Sequence, residues 1–134
     1  MKGSFSFIVR DENLNFEEIS EKLSVLPTST IKKGQIIRKG GTAQALYDIW
    51  RFEIALSEQV EPDEVLESLL QKLTPNFEKV NELVGKYKEV NINCYLRSEY
   101  GQMGFELSSE IVKKIALLGV GVDFHILSFG GVES

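Results

Sequence analysis

Asp123 and His125 stand two residues apart in an alternating run, so in a strand both side chains leave the same face. A carboxylate beside an imidazole can orient the ring and prepare it to act as a base. A base of this kind needs a nucleophile, and the sequence ties no serine to the pair. The single cysteine, Cys94, falls on the apolar side of its own alternating run, where a thiol behaves as a small hydrophobe. One histidine and one cysteine in 134 residues cannot assemble a cluster for hydrolytic, redox or structural-zinc chemistry. The reading is therefore of no catalytic residue, no metal set and no cofactor, and it leans away from an enzyme.

Other chemical patterns dissolve on inspection. Asp11, Asn13, Asn15 and Glu17 occupy alternate positions as in a calcium loop, but Phe16 and Lys22 stand where glycine and a bidentate glutamate belong. A turn followed by a helix cap accounts for the same residues. Gly119-Val120-Gly121 follows a helical pattern and enters a strand, the reverse of a dinucleotide fingerprint. Lys33-Gly34 and Lys39-Gly40 lack the spacing of a phosphate loop. What remains is a basic loop, Lys32, Lys33, Arg38 and Lys39 between Ile31 and Gly41, in a chain of net charge −5. An acidic body with one basic loop suits a protein partner and argues against nucleic acid.

The elements that would carry these residues follow from the apolar period. Phe5, Phe7 and Val9 alternate in a first strand. Asn15, with Glu18 three residues on, opens a helix striped by Phe16, Ile19, Leu23 and Leu26 and ended by Pro27. Gln35–Arg38, between two glycine breaks, reads as a short edge strand. Trp50, Phe52, Ile54 and Leu56 alternate, with Trp50 in the core. Pro62 starts a helix through Leu73, Thr74-Pro75 interrupts it, and a second stretch runs through Tyr87. Val90, Ile92, Cys94 and Leu96 form the next strand. After a turn at Ser98–Gly101, Met103, Phe105 and Leu107 return as a hairpin. Ser108 or Ser109 caps a last helix that stops at Gly119, and Val120, Val122, Phe124 and Ile126 close the pattern.

That order predicts an α+β two-layer sandwich: a mainly antiparallel sheet with helices on one face, a ferredoxin-like βαββαβ core and an added strand-helix-strand. Residues 1–134 read as one domain, with 130–134 as a frayed tail. Phe52, Ile54, Leu69, Ile92, Phe105, Ile115 and Phe124 are its expected common core. With neither a signal-like segment nor a membrane-length apolar run, a cytoplasmic protein free of membrane is expected.

The polar face of that sheet would present Ser6, Arg10, Arg51, Glu53, Asn91, Asn93, Tyr95, Arg97, Glu106, Asp123 and His125. Tyr and Arg are residues that concentrate binding energy. The candidate binding residues are Tyr95, Arg97, Asp123, His125 and Arg51, with Lys33 and Arg38 from the basic loop.

The motifs Leu26-Pro27-Thr28, Lys33-Gly34, the strand opened by Trp50, the helix Val65–Leu73, Tyr100-Gly101, Gly104-Phe105, Leu117-Leu118-Gly119 and Val122-Asp123 give the chain its family likeness. Across nearly its whole length it resembles the bacterial domain of unknown function 4279 family, with Ser24 where such members often carry glycine. The resemblance implies a small cytosolic α+β protein of no assigned activity. Some small bacterial families of this kind serve as immunity proteins for secreted toxins. Two functional readings follow. The first is a non-enzymatic interaction module, immunity- or antitoxin-like, whose partner is another protein. The second is a binder or enzyme for a small anionic ligand, using the sheet face together with the Lys32–Lys39 loop.

Overall fold

The computed structural model describes residues 2–100 and 104–131, and gives the backbone alone at Glu99, Tyr100 and residues 128–131. The first strand of the chain, Lys2–Asp11 (β1), is the middle of a five-stranded sheet. It pairs antiparallel with Asp48–Ala55 (β3) on one side and Glu89–Tyr100 (β4) on the other. Ser29–Ile31 (β2) closes one edge against β3, and Gly121–Gly131 (β5) closes the other, parallel to β4. The parallel pair requires a crossover, and the helix Ser109–Leu118 (α4) supplies it. This is an α+β protein with a mixed, mainly antiparallel sheet.

Register sorts the two faces. Phe7 lies opposite Phe52 and Ile92, and Phe5 opposite Ile54 and Cys94. Onto that apolar face pack Ile19 and Leu23 of Phe16–Leu23 (α1), Leu66, Leu69 and Leu73 of Pro62–Leu73 (α2), Leu83 of Phe77–Lys86 (α3) and Leu118 of α4. Trp50 is fully buried there, its ring edge against Phe7 and its indole N–H donating to Ser20 Oγ at 3.1 Å.

The helix ends follow local chemistry. Asn15 Oδ1 accepts the Glu18 N–H, Ser108 Oγ accepts that of Ile111, and Pro62 occupies a first-turn position where no N–H is needed. Gly119 closes α4 with a positive φ of 71°, where glycine has no Cβ to strain. Ser24 closes α1 in the same left-handed conformation, at φ 55°, without glycine's freedom.

Asp48 is a buried charge. Its Oδ2 accepts the Leu14 N–H at 3.0 Å, its Oδ1 the Lys33 N–H at 2.7 Å, and Lys32 Nζ lies 3.7 Å away. Burial works to raise this carboxyl, but the two N–H donors and the Lys32 charge outweigh it and hold it below its ordinary value. One side chain thereby ties the β1–α1 turn to the loop after β2.

Several expectations are corrected. The edge strand is Ser29–Ile31; Gln35–Arg38 contributes only an isolated bridge between Ile36 and Gln44. Among the described residues no hairpin follows β4, which runs through Ser98 to Tyr100, and residues 104–108 form no strand, so the described part of the added unit is a helix and a strand. Gly101 of the expected turn and Met103 of the expected return strand lie outside the described residues, as do 132–134 of the expected tail; β5 takes in Gly130 and Gly131. Leu26 is 81% exposed because α1 has already ended, and Phe124 is 46% exposed because β5 is the sheet edge. Phe52, Ile54, Phe105 and Ile115 pack on the core from partly buried positions, while Leu69 and Ile92 are fully inside it. Among the described residues, no helix is long and apolar enough to cross a membrane.

Candidate functional site

The face of the sheet away from the helices carries the polar side chains in rows. Ser4, Tyr95 and His125 share one row across β1, β4 and β5; Glu53, Ser6, Asn93 and Asp123 share the next, beginning at β3. Arg51, Ile8 and Asn91 share the third. Glu106, expected on this face, lies in the segment that forms no strand.

A shallow cleft of about 250 Å3 opens on this surface. Ile8 and Ile49 line it with apolar surface, and Arg10, Glu89, Arg51, Asn93, Tyr95, Asp123 and His125 surround them. Four of the expected binding residues, Arg51, Tyr95, Asp123 and His125, thus meet in one place. The phenol of Tyr95 and the imidazole of His125 stack with centroids 4.6 Å apart and planes 16° from parallel. Both rings also line a second, neighbouring hollow of about 360 Å3 with Arg97, Ile126 and Leu127. Arg97 therefore borders the site from the far side of the stacked pair.

Charges in the cleft are mostly matched. Arg10 forms an ion pair with Glu89, its register partner, and lies over the Tyr47 ring. Asp123 accepts from the Asn91 side-chain amide, which also donates to Glu89 at 3.3 Å. Since carboxylates only accept, these two bonds settle which end of Asn91 is the nitrogen. Glu53 is held by the hydroxyls of Ser4 and Ser6. Arg51 is left unmatched: among the described residues its buried Nε has no partner. The same holds for the Oδ1 atoms of Asn91 and Asn93, side chains only 9% and 6% exposed. Native interiors leave few buried polar groups unsatisfied, because each costs about 1–3 kcal/mol.

Lys33 and Arg38 do not join this cluster. The Lys33 N–H is bound to Asp48, and the Lys32 ammonium lies over the Phe16 ring of α1, which anchors the base of the basic loop on the helix side of the sheet. Arg38 sits at an exposed turn, its carbonyl accepting the Gly41 N–H. Glu89, Ile8 and Ile49 also line the cleft and are not among the expected binding residues. The signal for Glu89 was its opposite charge to Arg10 at the matching end of a neighbouring strand.

Nucleophilic chemistry finds no support at Cys94. Its register partner in β5 is Phe124 on the core face, one residue out of phase with His125. Burial, aided by the Asp123 charge, pushes its thiol up to about 12, so it stays protonated. Among the described residues no three His, Cys, Asp or Glu side chains gather closely enough to hold a metal ion.

Neither the curated proteins nor the solved structures contain a match to the chain. A family model described as Domain of unknown function (DUF4279) matches residues 1–129, and the chain belongs to that family.

Proposed function

We propose that this protein is a non-enzymatic interaction module whose sheet-face cleft takes a carboxylate side chain of a protein partner. The observation that carries the reading is the set of unsatisfied buried atoms, Arg51 Nε with Asn91 and Asn93 Oδ1, in or beside one cleft. An Asp or Glu carboxylate supplies acceptors to the Arg51 guanidinium, a pairing that its planar fork favours. The backbone N–H of the incoming residue and that of the residue after it suit the Asn oxygens. Size agrees: about 250 Å3 falls below the usual range for enclosed small-ligand pockets and suits one residue of a partner. Tyr95, more than a third exposed, offers a rigid aromatic wall beside it.

The architecture behind this reading is a ferredoxin-like core with one strand appended. The strand order β2-β3-β1-β4, with helices between β1 and β2 and between β3 and β4, supports it, β5 being the addition.

The test is an NMR titration of the protein with N-acetyl-glutamate methylamide and its glutamine counterpart. The glutamate probe should shift the Arg51 Nε–H and the Asn91 and Asn93 side-chain amide signals, and the glutamine probe should not. Arg51→Gln should abolish the response. Equal responses to both probes, or shifts confined to the Lys32–Lys39 loop, would overturn the proposal.

A further inference from the structure

β5 is an unprotected edge. Proteins usually blunt an edge strand by making it short, or by placing lysine or proline on it. β2, at the other edge, spans only three residues. β5 spans eleven, and Gly121–Leu127 contains neither lysine nor proline. Three of its side chains leave apolar surface open, Phe124 (46% exposed) and Ile126 (59%) on the helix face and Leu127 (52%) on the other, beside Asp123 and His125.

We infer that this edge pairs with β5 of a second copy, antiparallel about a two-fold axis at Phe124. The choice of occupant and register comes from charge. A strand pairing with itself makes a closed, isologous contact. Three registers near the middle of Gly121–Leu127 keep both helix layers on one side of the joined sheet. Centring on Asp123 sets two carboxylates against each other, and centring on His125 sets two imidazoles against each other. Centring on Phe124 places each Asp123 opposite the second copy's His125. An imidazole has at least one N–H to give a carboxylate, whatever its protonation state. The other face is then wholly apolar, with Phe124 opposite Phe124 and Val122 opposite Ile126. Directly opposed pairs of this kind stabilise antiparallel sheets.

The junction draws Asp123 and His125 from the rim of the carboxylate cleft, but it rests on the edge pairing of β5 and not on what the cleft binds. Sedimentation velocity over a concentration series tests it: the mass should rise from 15.1 kDa toward twice that value. Phe124→Lys should weaken association at least tenfold with the circular dichroism spectrum unchanged, since Phe124 is half exposed. In a Cys94→Ala background, Phe124→Cys should cross-link to itself under mild oxidation and Ile126→Cys should not. Opposed Cα atoms lie about 4.5–5.5 Å apart, within disulfide reach. A monomer at every concentration, an undiminished dimer in Phe124→Lys, or cross-linking at Ile126 instead of Phe124 would each overturn the inference.

Discussion

The Tyr95 ring lies flat against the His125 imidazole across the parallel junction of β4 and β5, and the pair forms a wall common to two hollows. Removing one ring opens the cleft on that side. Tyr95→Ala should weaken partner binding by about 2 kcal/mol or more, the scale of a hot-spot aromatic. Adding Arg97→Ala should deepen the loss. Both side chains are outside the core, so the melting temperature should move by less than about 5 °C. Calorimetric titration beside a thermal melt separates the two effects.

Leu69 is fully buried in the apolar seam between α2 and the sheet. Leu69→Ala should lower stability by about 2–5 kcal/mol, lost transfer energy plus a cavity. Val112, half exposed on α4, is the control: Val112→Ala should stay within about 0.5 kcal/mol. Denaturant melts of the two variants check the assignment.

Asp48 should make the fold acid-sensitive. Its carboxyl is held below its ordinary value in the folded state, so the folded protein favours the charged form more than the unfolded chain does. The resulting stability is fully present above the unfolded carboxylate pKa of about 4, and is lost as the pH falls through the folded value. Asp48→Asn should cost about 1–3 kcal/mol near neutrality, because an amide cannot replace two accepting oxygens and a charge. It should also flatten the decline below about pH 4. Denaturation midpoints across that range for both proteins give the comparison.

Ser24 holds a backbone conformation that suits glycine at the end of α1. Ser24→Gly should raise stability by about 0.5–1 kcal/mol, relief of left-handed strain less the entropy of an extra glycine. Ser24→Val should lower it. A gain from valine would show that the strain is absent.

How far these features were legible depended on whether a local rule governed them. Asn15, Pro62, Ser108 and Gly119 act within one turn of their helices, and spacing alone locates them. The polar row Asn91, Asn93, Tyr95 follows from period two and appears as expected. Phe105 and Leu107 satisfied the same period while lying in an irregular segment, because two apolar residues packing on a core need not belong to a ladder. Phe124 alternates correctly and still escapes burial, since pattern gives a face but not a place in the sheet. Asp48 left no trace at all: its partners, Leu14 and Lys33, are distant in sequence and bind it through backbone N–H groups. The cleft depends on the same long-range register, which brings Arg51 over Ile8 toward residues of β4 and β5.

The central place of β1 also sets a schedule for synthesis. Phe7 leaves the ribosome long before its two neighbours in the sheet, Phe52 and Ile92. At about 5–20 residues per second, the second neighbour follows roughly 4–17 s later. Throughout that interval the central strand of the sheet has at least one naked edge. Nascent chains stalled before Ile92 should therefore be the species that chaperones hold, and slow codons between α3 and β4 the ones that reduce yield.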